Sequence, residues 1–157
     1  MPGKIQEANI HASCVAISGH GVLLLGKSGA GKSDLALRLI EGGARLVADD
    51  RTILFAARGA LHAKAPESIK GLLEIRGVGI VAFPARTAVK ISLVVRLGRE
   101  GARLPVPSIY HVPSPLKGAM PVPQIALDAR FASTPAKIRA ALAAFSRGLF
   151  RDTFITK

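Results

Sequence analysis

The sequence predicts an α/β domain in which a mixed β-sheet is flanked by helices. An apolar strand at Val22 to Leu25 runs into Gly26-Lys27-Ser28-Gly29-Ala30-Gly31-Lys32-Ser33 and then into helix formers from Asp34 to Glu41, the order a P-loop requires. Short apolar and β-branched segments recur elsewhere between glycine turns, several of them paired as hairpins, so antiparallel strands must join those the loop and helix connect.

In chain order, His11 to Ile17 and Val22 to Leu25 read as strands joined by Ser18-Gly19-His20-Gly21, a tight hairpin. The helix after the glycine loop carries Leu35, Leu39 and Ile40 at helical spacing and stops at Gly42-Gly43. Arg45 to Ala48 returns as a strand ending at Asp49-Asp50, and Thr52 to Ala57 with Ala60 to Lys64 forms a second hairpin turning at Arg58-Gly59. Beyond Pro66 come Leu72-Leu73-Glu74-Ile75-Arg76-Gly77-Val78-Gly79, a strand from Ile80 to Phe83 and another from Val89 to Arg96. Leu104 to Pro123 holds most of the prolines and reads as a surface loop, unfit for a central strand or a long helix. Ser133-Thr134-Pro135 opens the last helix with a hydroxyl cap and a proline, and Ile138, Ala141, Leu142, Phe145 and Leu149 mark its apolar face. Gly148 falls near its end, and residues 151–157 read as a loose tail.

At 157 residues the chain is expected to form a single domain over 1–157 that needs no staple. Although 49% of residues are hydrophobic, no run reaches the roughly 18 apolar residues of a spanning helix. No signal peptide is read at the start, and the lone Cys14 excludes an intrachain disulfide and a cysteine zinc site. The expected compartment is the cytoplasm, without membrane attachment. The formal charge of +12 would attract nucleic acid, phosphate-rich ligands or an acidic protein surface. The basic residues are scattered and aromatics are only 4%, so a nucleic-acid function is not expected and a basic surface steering an anionic partner fits better.

The glycine loop is the strongest functional signal. Gly26, Gly29 and Gly31 let the backbone aim N–H groups at phosphate oxygens, Lys32 reaches the terminal phosphates, and the Ser33 hydroxyl binds Mg²⁺. A triphosphate site also needs a carboxylate near the metal. Asp49 and Asp50 sit at a strand end, where adjacent side chains diverge, so one would address Mg²⁺ and the other the attacking hydroxyl; an ordinary acidic turn would look the same. Glu74 is either a second metal ligand or a polar residue on the wet face of a strand. His11 either approaches the loop from the first strand or is structural, and Cys14 reads as a small buried hydrophobe.

Taken together, His11, the loop Gly26 to Ser33, Arg45-Leu46-Val47-Ala48-Asp49-Asp50 and Glu74-Ile75-Arg76-Gly77-Val78-Gly79 resemble the catalytic domain of HPr serine kinase/phosphorylase. The resemblance is strong from about His11 to Ile80 and weak afterwards. It implies a fold similar to the nucleotide domain of phosphoenolpyruvate carboxykinase. It also implies ATP- and Mg²⁺-dependent phosphorylation of a serine on the phosphocarrier protein HPr and, in many members, the reverse phosphorolysis that releases pyrophosphate. By the same resemblance Asp50 is the catalytic aspartate, Lys32 the phosphate-binding lysine, Ser33 and Glu74 metal ligands, and His11 an active-site histidine. Arg103 aligns loosely with a further active-site arginine. The N-terminal domain of longer relatives and their basic segment for dephosphorylation are not found, so the kinase direction is the expectation. Members with the full architecture are hexamers, and a homo-oligomer is the corresponding expectation here. The alternative is a nucleotide-sensing regulatory P-loop protein that transfers no phosphate, against which the pairing of Asp50 with Glu74 speaks.

Overall fold

A computed structural model describes residues 5–116 and 118–151. Strands β1 (Glu7–Ile17) and β2 (His20–Leu25) form the first hairpin. Its turn residues Ser18 and Gly19 have φ of 49° and 81°, the left-handed pair that suits the twist of a two-residue hairpin. Helix α1 (Lys32–Glu41) leads to β3 (Arg45–Ala48), and β4 (Arg51–Ala57) and β5 (Ala60–Lys64) make the second hairpin. A small separate hairpin, β6 (Leu72–Ile75) and β7 (Gly79–Ala82), precedes β8 (Ala88–Leu97), β9 (Ser108–Tyr110), β10 (Val122–Leu127) and α2 (Thr134–Arg147).

The expected mixed sheet is present, and it also closes on itself. β2 runs antiparallel to β1 and parallel to β8, while β1, β4, β5 and β8 pair in succession, so these five strands form a ring. Closure depends on length: β1 pairs β4 through Glu7 to His11 and β3 through Cys14 to Ala16, with a register shift between Cys14 and Val15. Such an irregularity bends the strand from one pairing to the next. The two faces of the curved sheet then have separate cores. One collects Ala12, Cys14, Leu23, Leu54, Leu61, Ile91 and Val94 inside the ring. The other packs Val15, Val22, Leu24 and Val95 against Leu35 and Leu39 of α1 and Ile138 and Leu142 of α2. Each fully buried leucine here contributes roughly 1.5–3 kcal/mol by leaving water.

Three expectations need correction. The proline-rich stretch read as a loop contains β9 and the start of β10, and β10 lies inside the sheet, parallel to β8 on one side and antiparallel to β9 on the other. Pro123 is tolerated because it pairs only with β9, whereas pairing to β8 begins at Gln124. On α2, Ile138 and Leu142 are buried, but Phe145 and Leu149 of the expected apolar face are 37% and 43% exposed. The N-cap Ser133 makes no side-chain capping bond; Thr134 instead donates its hydroxyl to the Asp128 carbonyl at 2.5 Å. Gly148 ends the helix in left-handed conformation as expected. The tail read at 151–157 lies, from residue 152 on, outside the described residues. Among the described residues no helix is long and apolar enough to cross a membrane, which says nothing about crossing with strands.

The topology gathers the polar motifs at one edge. β2, β8 and β10 are parallel, and β3, antiparallel to β1, shares their direction. Their carboxyl ends therefore lie on the same side as the middle of β1, where Ala12 faces Leu25.

Candidate functional site

Here a cleft of about 490 Å³ is lined by His11, Ser28, Gly29, Gly31, Lys32, Ser33, Asp34, Leu37, Asp50, Glu74, Ile75 and Arg76. Local backbone chemistry shapes its floor. Gly31 has φ 96°, and a Cβ there would stand 3.1 Å from Ala129 Cβ, so both conformation and space demand glycine. It is the N-cap of α1 and supplies no capping side chain. The first N–H groups of the helix are thus left to an anion, which the helix dipole also favours.

Lys32 is buried and curls back over the loop, donating to the Gly26 carbonyl at 2.7 Å and the Lys27 carbonyl at 3.0 Å. Burial lowers its pKa below the ordinary lysine value, against the opposing pull of Asp50 and Asp49. Carbonyls compensate an ammonium less well than phosphate oxygens do, so this lysine is held ready for an anion. Ala30 packs against the helical core, leaving Ser28, Gly29, Gly31, Lys32 and Ser33 to face the cleft.

Asp49 is the hub behind the loop. It is buried, and its Oδ1 accepts the hydroxyls of Ser33 at 2.7 Å and Ser13 at 2.9 Å, while Oδ2 accepts the Glu74 amide at 3.3 Å. Three donors converging on one acceptor-only group tie α1, β1, β3 and β6 together. Asp50 points the other way, with its side chain 67% exposed at the cleft. The two acids diverge as expected, but not through extended chain: Asp50 has φ 67°, and the Arg51 amide donates to the Asp49 carbonyl at 2.7 Å across it. A non-glycine residue in that region stores strain. His11 Nε2 donates to Asp50 Oδ1 at 2.9 Å, so the histidine meets the aspartate rather than the glycine loop.

The structure thus brings His11, Lys32, Ser33, Asp50 and Glu74 to one cleft with Asp49 directly behind it. Arg103 stands exposed in the segment after β8 and is not among the residues lining the cleft. Arg76 does line it, two residues after Glu74 on the hairpin tip. The sequence alone assigns no role to Arg76 or Ser13. Ser13 lies two residues from His11, so a period-two reading of β1 places both on one face, and a buried hydroxyl in an apolar strand was the available signal.

A divalent cation fits the donor set. The hydroxyl of Ser33 and the carboxylate of Asp49 meet at 2.7 Å, with the Glu74 carboxylate at the rim. Among the described residues no three His, Cys, Asp or Glu side chains cluster as a metal site. Few protein ligands, all hard oxygens, suit an ion completed by phosphates and water, as Mg²⁺ is.

Comparison with known proteins follows the same residues. A family model described as "HPr Serine kinase C-terminal domain" matches residues 5–100. The HPr kinase/phosphorylase of Geobacillus sp. (strain WCH70) is 48% identical over 96 residues, covering 56% of this chain and 31% of that protein. That of Clostridium acetobutylicum is 47% identical over 79 residues, covering 50% of this chain and 26% of that protein. The chain therefore spans about a quarter to a third of the length of these relatives. The solved Hpr(Ser) kinase/phosphatase from Coxiella burnetii superimposes with a TM-score of 0.75 at 23% identity, over 90% of this chain and 98% of that one. At that identity the likeness is one of fold.

Proposed function

Since the chain belongs to the HPr serine kinase C-terminal domain family, we propose that it transfers the terminal phosphoryl group of ATP to a serine hydroxyl of the phosphocarrier protein HPr. The observation that carries this reading is the division between the two aspartates: Asp49 is buried against the Ser33 hydroxyl, while Asp50 faces the cleft beside Lys32. Simple nucleotide binding needs a loop and a lysine; it does not need an exposed carboxylate held in a strained turn.

Ser33 and Asp49, with Glu74 at the rim, would hold Mg²⁺, which supplies charge neutralisation at the phosphates. The loop amides and the first turn of α1 bind the triphosphate, and Lys32 leaves the Gly26 and Lys27 carbonyls to meet its terminal oxygens. The serine hydroxyl attacks the γ-phosphorus, the bond from that phosphorus to the bridging oxygen breaks, and ADP leaves. Asp50 takes the proton from the attacking hydroxyl, and His11 keeps the carboxylate aimed. In the reverse sense Asp50 returns that proton to the serine oxygen as inorganic phosphate attacks phosphoserine and pyrophosphate is released. The basic surface steers an acidic face of the acceptor. The reaction belongs to the cytoplasm, where the buried Cys14 stays a thiol.

The test is incubation of the chain with γ-labelled ATP, Mg²⁺ and purified HPr. Label on a serine of HPr is the expected result. ATP binding with no label on HPr would overturn the kinase reading in favour of a nucleotide-sensing regulator.

A further inference from the structure

Three consecutive residues of β1 grip Asp50 from three directions. His11 donates to its side chain at 2.9 Å, the Ala12 amide donates to its carbonyl at 3.0 Å, and its own amide donates to Ser13 Oγ at 3.1 Å. Thr52 secures the same stretch from the next strand, donating its hydroxyl to the Ala12 carbonyl at 2.8 Å. Of these contacts the Ser13 hydroxyl alone touches both acids, since it also donates to Asp49 Oδ1 at 2.9 Å. It is completely buried, and its single proton and one lone pair are both committed.

We propose that Ser13 is a positioning residue for phosphoryl transfer: its hydroxyl joins the buried carboxylate of Asp49 to the strained turn of Asp50, fixing the spacing between the metal side and the base side of the cleft. The proposal rests on the phosphotransfer reading above. It explains how a left-handed aspartate is kept in one conformation. The turn is closed by one short backbone bond, from the Arg51 amide to the Asp49 carbonyl, and strain persists only where the surroundings over-determine it. Without the Ser13 hydroxyl the Asp50 amide would be an orphaned donor and Asp49 would lose one of its three donors. The turn would then relax and the base would drift from the attacking hydroxyl.

The test compares the whole chain with its Ser13→Ala variant. The kcat for transfer to HPr should fall about 10- to 100-fold, the cost of a roughly 1 Å displacement of a reacting group. ATP affinity should stay within about threefold, because Lys32 bonds elsewhere and Ser33 keeps its own bond to Asp49 when the Ser13 hydroxyl is lost. Amide exchange at Asp50 should quicken about tenfold, as loss of one hydrogen bond implies. In an Asp50→Asn background the further loss from Ser13→Ala should be several-fold smaller than the loss in wild type, since much of the serine's effect passes through the Asp50 turn. Unchanged kcat in folded Ser13→Ala, or an undiminished further loss on top of Asp50→Asn, would overturn the proposal. If Ser13→Ala does not fold, Ser13→Cys, similar in size with a weaker donor, carries the same comparison. If the wild-type chain labels no acceptor, the kinase reading fails on its own, and Asp50 amide exchange still decides whether Ser13 holds the turn.

Discussion

Replacing Asp50 with glycine and, separately, with alanine tests whether the fold bears strain at the point where the proposed chemistry occurs. Both variants lose the carboxylate and its contact with His11, and both keep the amide that donates to Ser13, so those terms cancel in the comparison. What remains is the backbone at φ 67°. Alanine there costs roughly 1–2 kcal/mol relative to the right-handed region, while glycine adopts it freely but loses about 0.4–1 kcal/mol more entropy on folding. The glycine variant should therefore be more stable by about 0.5–1 kcal/mol, the reverse of the order at a helical position. In a domain of this size that is a difference of about 1–4 °C in thermal midpoint. Ala140→Gly on the exposed side of α2 is the internal control, expected to destabilise by about 0.5–1 kcal/mol. Urea titrations of the four proteins read the differences directly. If Asp50→Ala equals or exceeds Asp50→Gly in stability, Asp50 is not held in a left-handed turn and the strain argument fails.

Other outcomes follow from the same contacts. Lys32→Met should weaken ATP binding about 10- to 100-fold, the worth of a charge-assisted contact to phosphate; calorimetry showing unchanged affinity would remove Lys32 from the anion site. Because burial holds Lys32 below its ordinary pKa, a phosphate partner should raise it again, so ATP binding somewhat below the ordinary lysine value of roughly 10.4 should take up protons. Calorimetry in two buffers of different ionisation enthalpy should show that uptake in the wild type and not in Lys32→Met. Asp128, behind the glycine loop at the end of β10, is held at a pKa of about 2 by its hydrogen bonds to Arg130. A depressed carboxylate stabilises the fold above its unfolded value near 4 and loses that contribution as pH falls toward 2. Asp128→Asn should accordingly be less stable than wild type at neutral pH and converge with it in acid; a gap that stays constant from pH 6 to pH 2 would contradict the assignment.

Much of this was legible in the residues because local chemistry decided it. The strand, glycine loop and helix from Val22 to Glu41, the strand Arg45–Ala48, and the hairpin turns at Ser18-Gly19 and Arg58-Gly59 are specified by residues adjacent in sequence. β10 was hidden because Pro121 and Pro123 flank and enter it, and only the three-dimensional pairing shows that the missing N–H of Pro123 falls before the β8 ladder begins. Closure of the ring depends on β1 and β8 each changing partners along their length, which no periodicity reports. Within the site, Lys32, Ser33 and the paired acids were visible as motifs. The left-handed turn of Asp50 and the two hydrogen bonds of the Ser13 hydroxyl were not, because both arise from β1 meeting a strand end more than thirty residues away.

The role proposed for Asp50 is that of the base in a phosphoryl transfer, not of a structural acid beside a nucleotide. The most direct measurement is the rate of label transfer from γ-labelled ATP to HPr for wild type and Asp50→Asn, with ATP affinity measured in parallel. Unchanged affinity and a loss of about 10²- to 10⁴-fold in kcat are expected if Asp50 is the base; transfer at the wild-type rate by Asp50→Asn would remove it from that role.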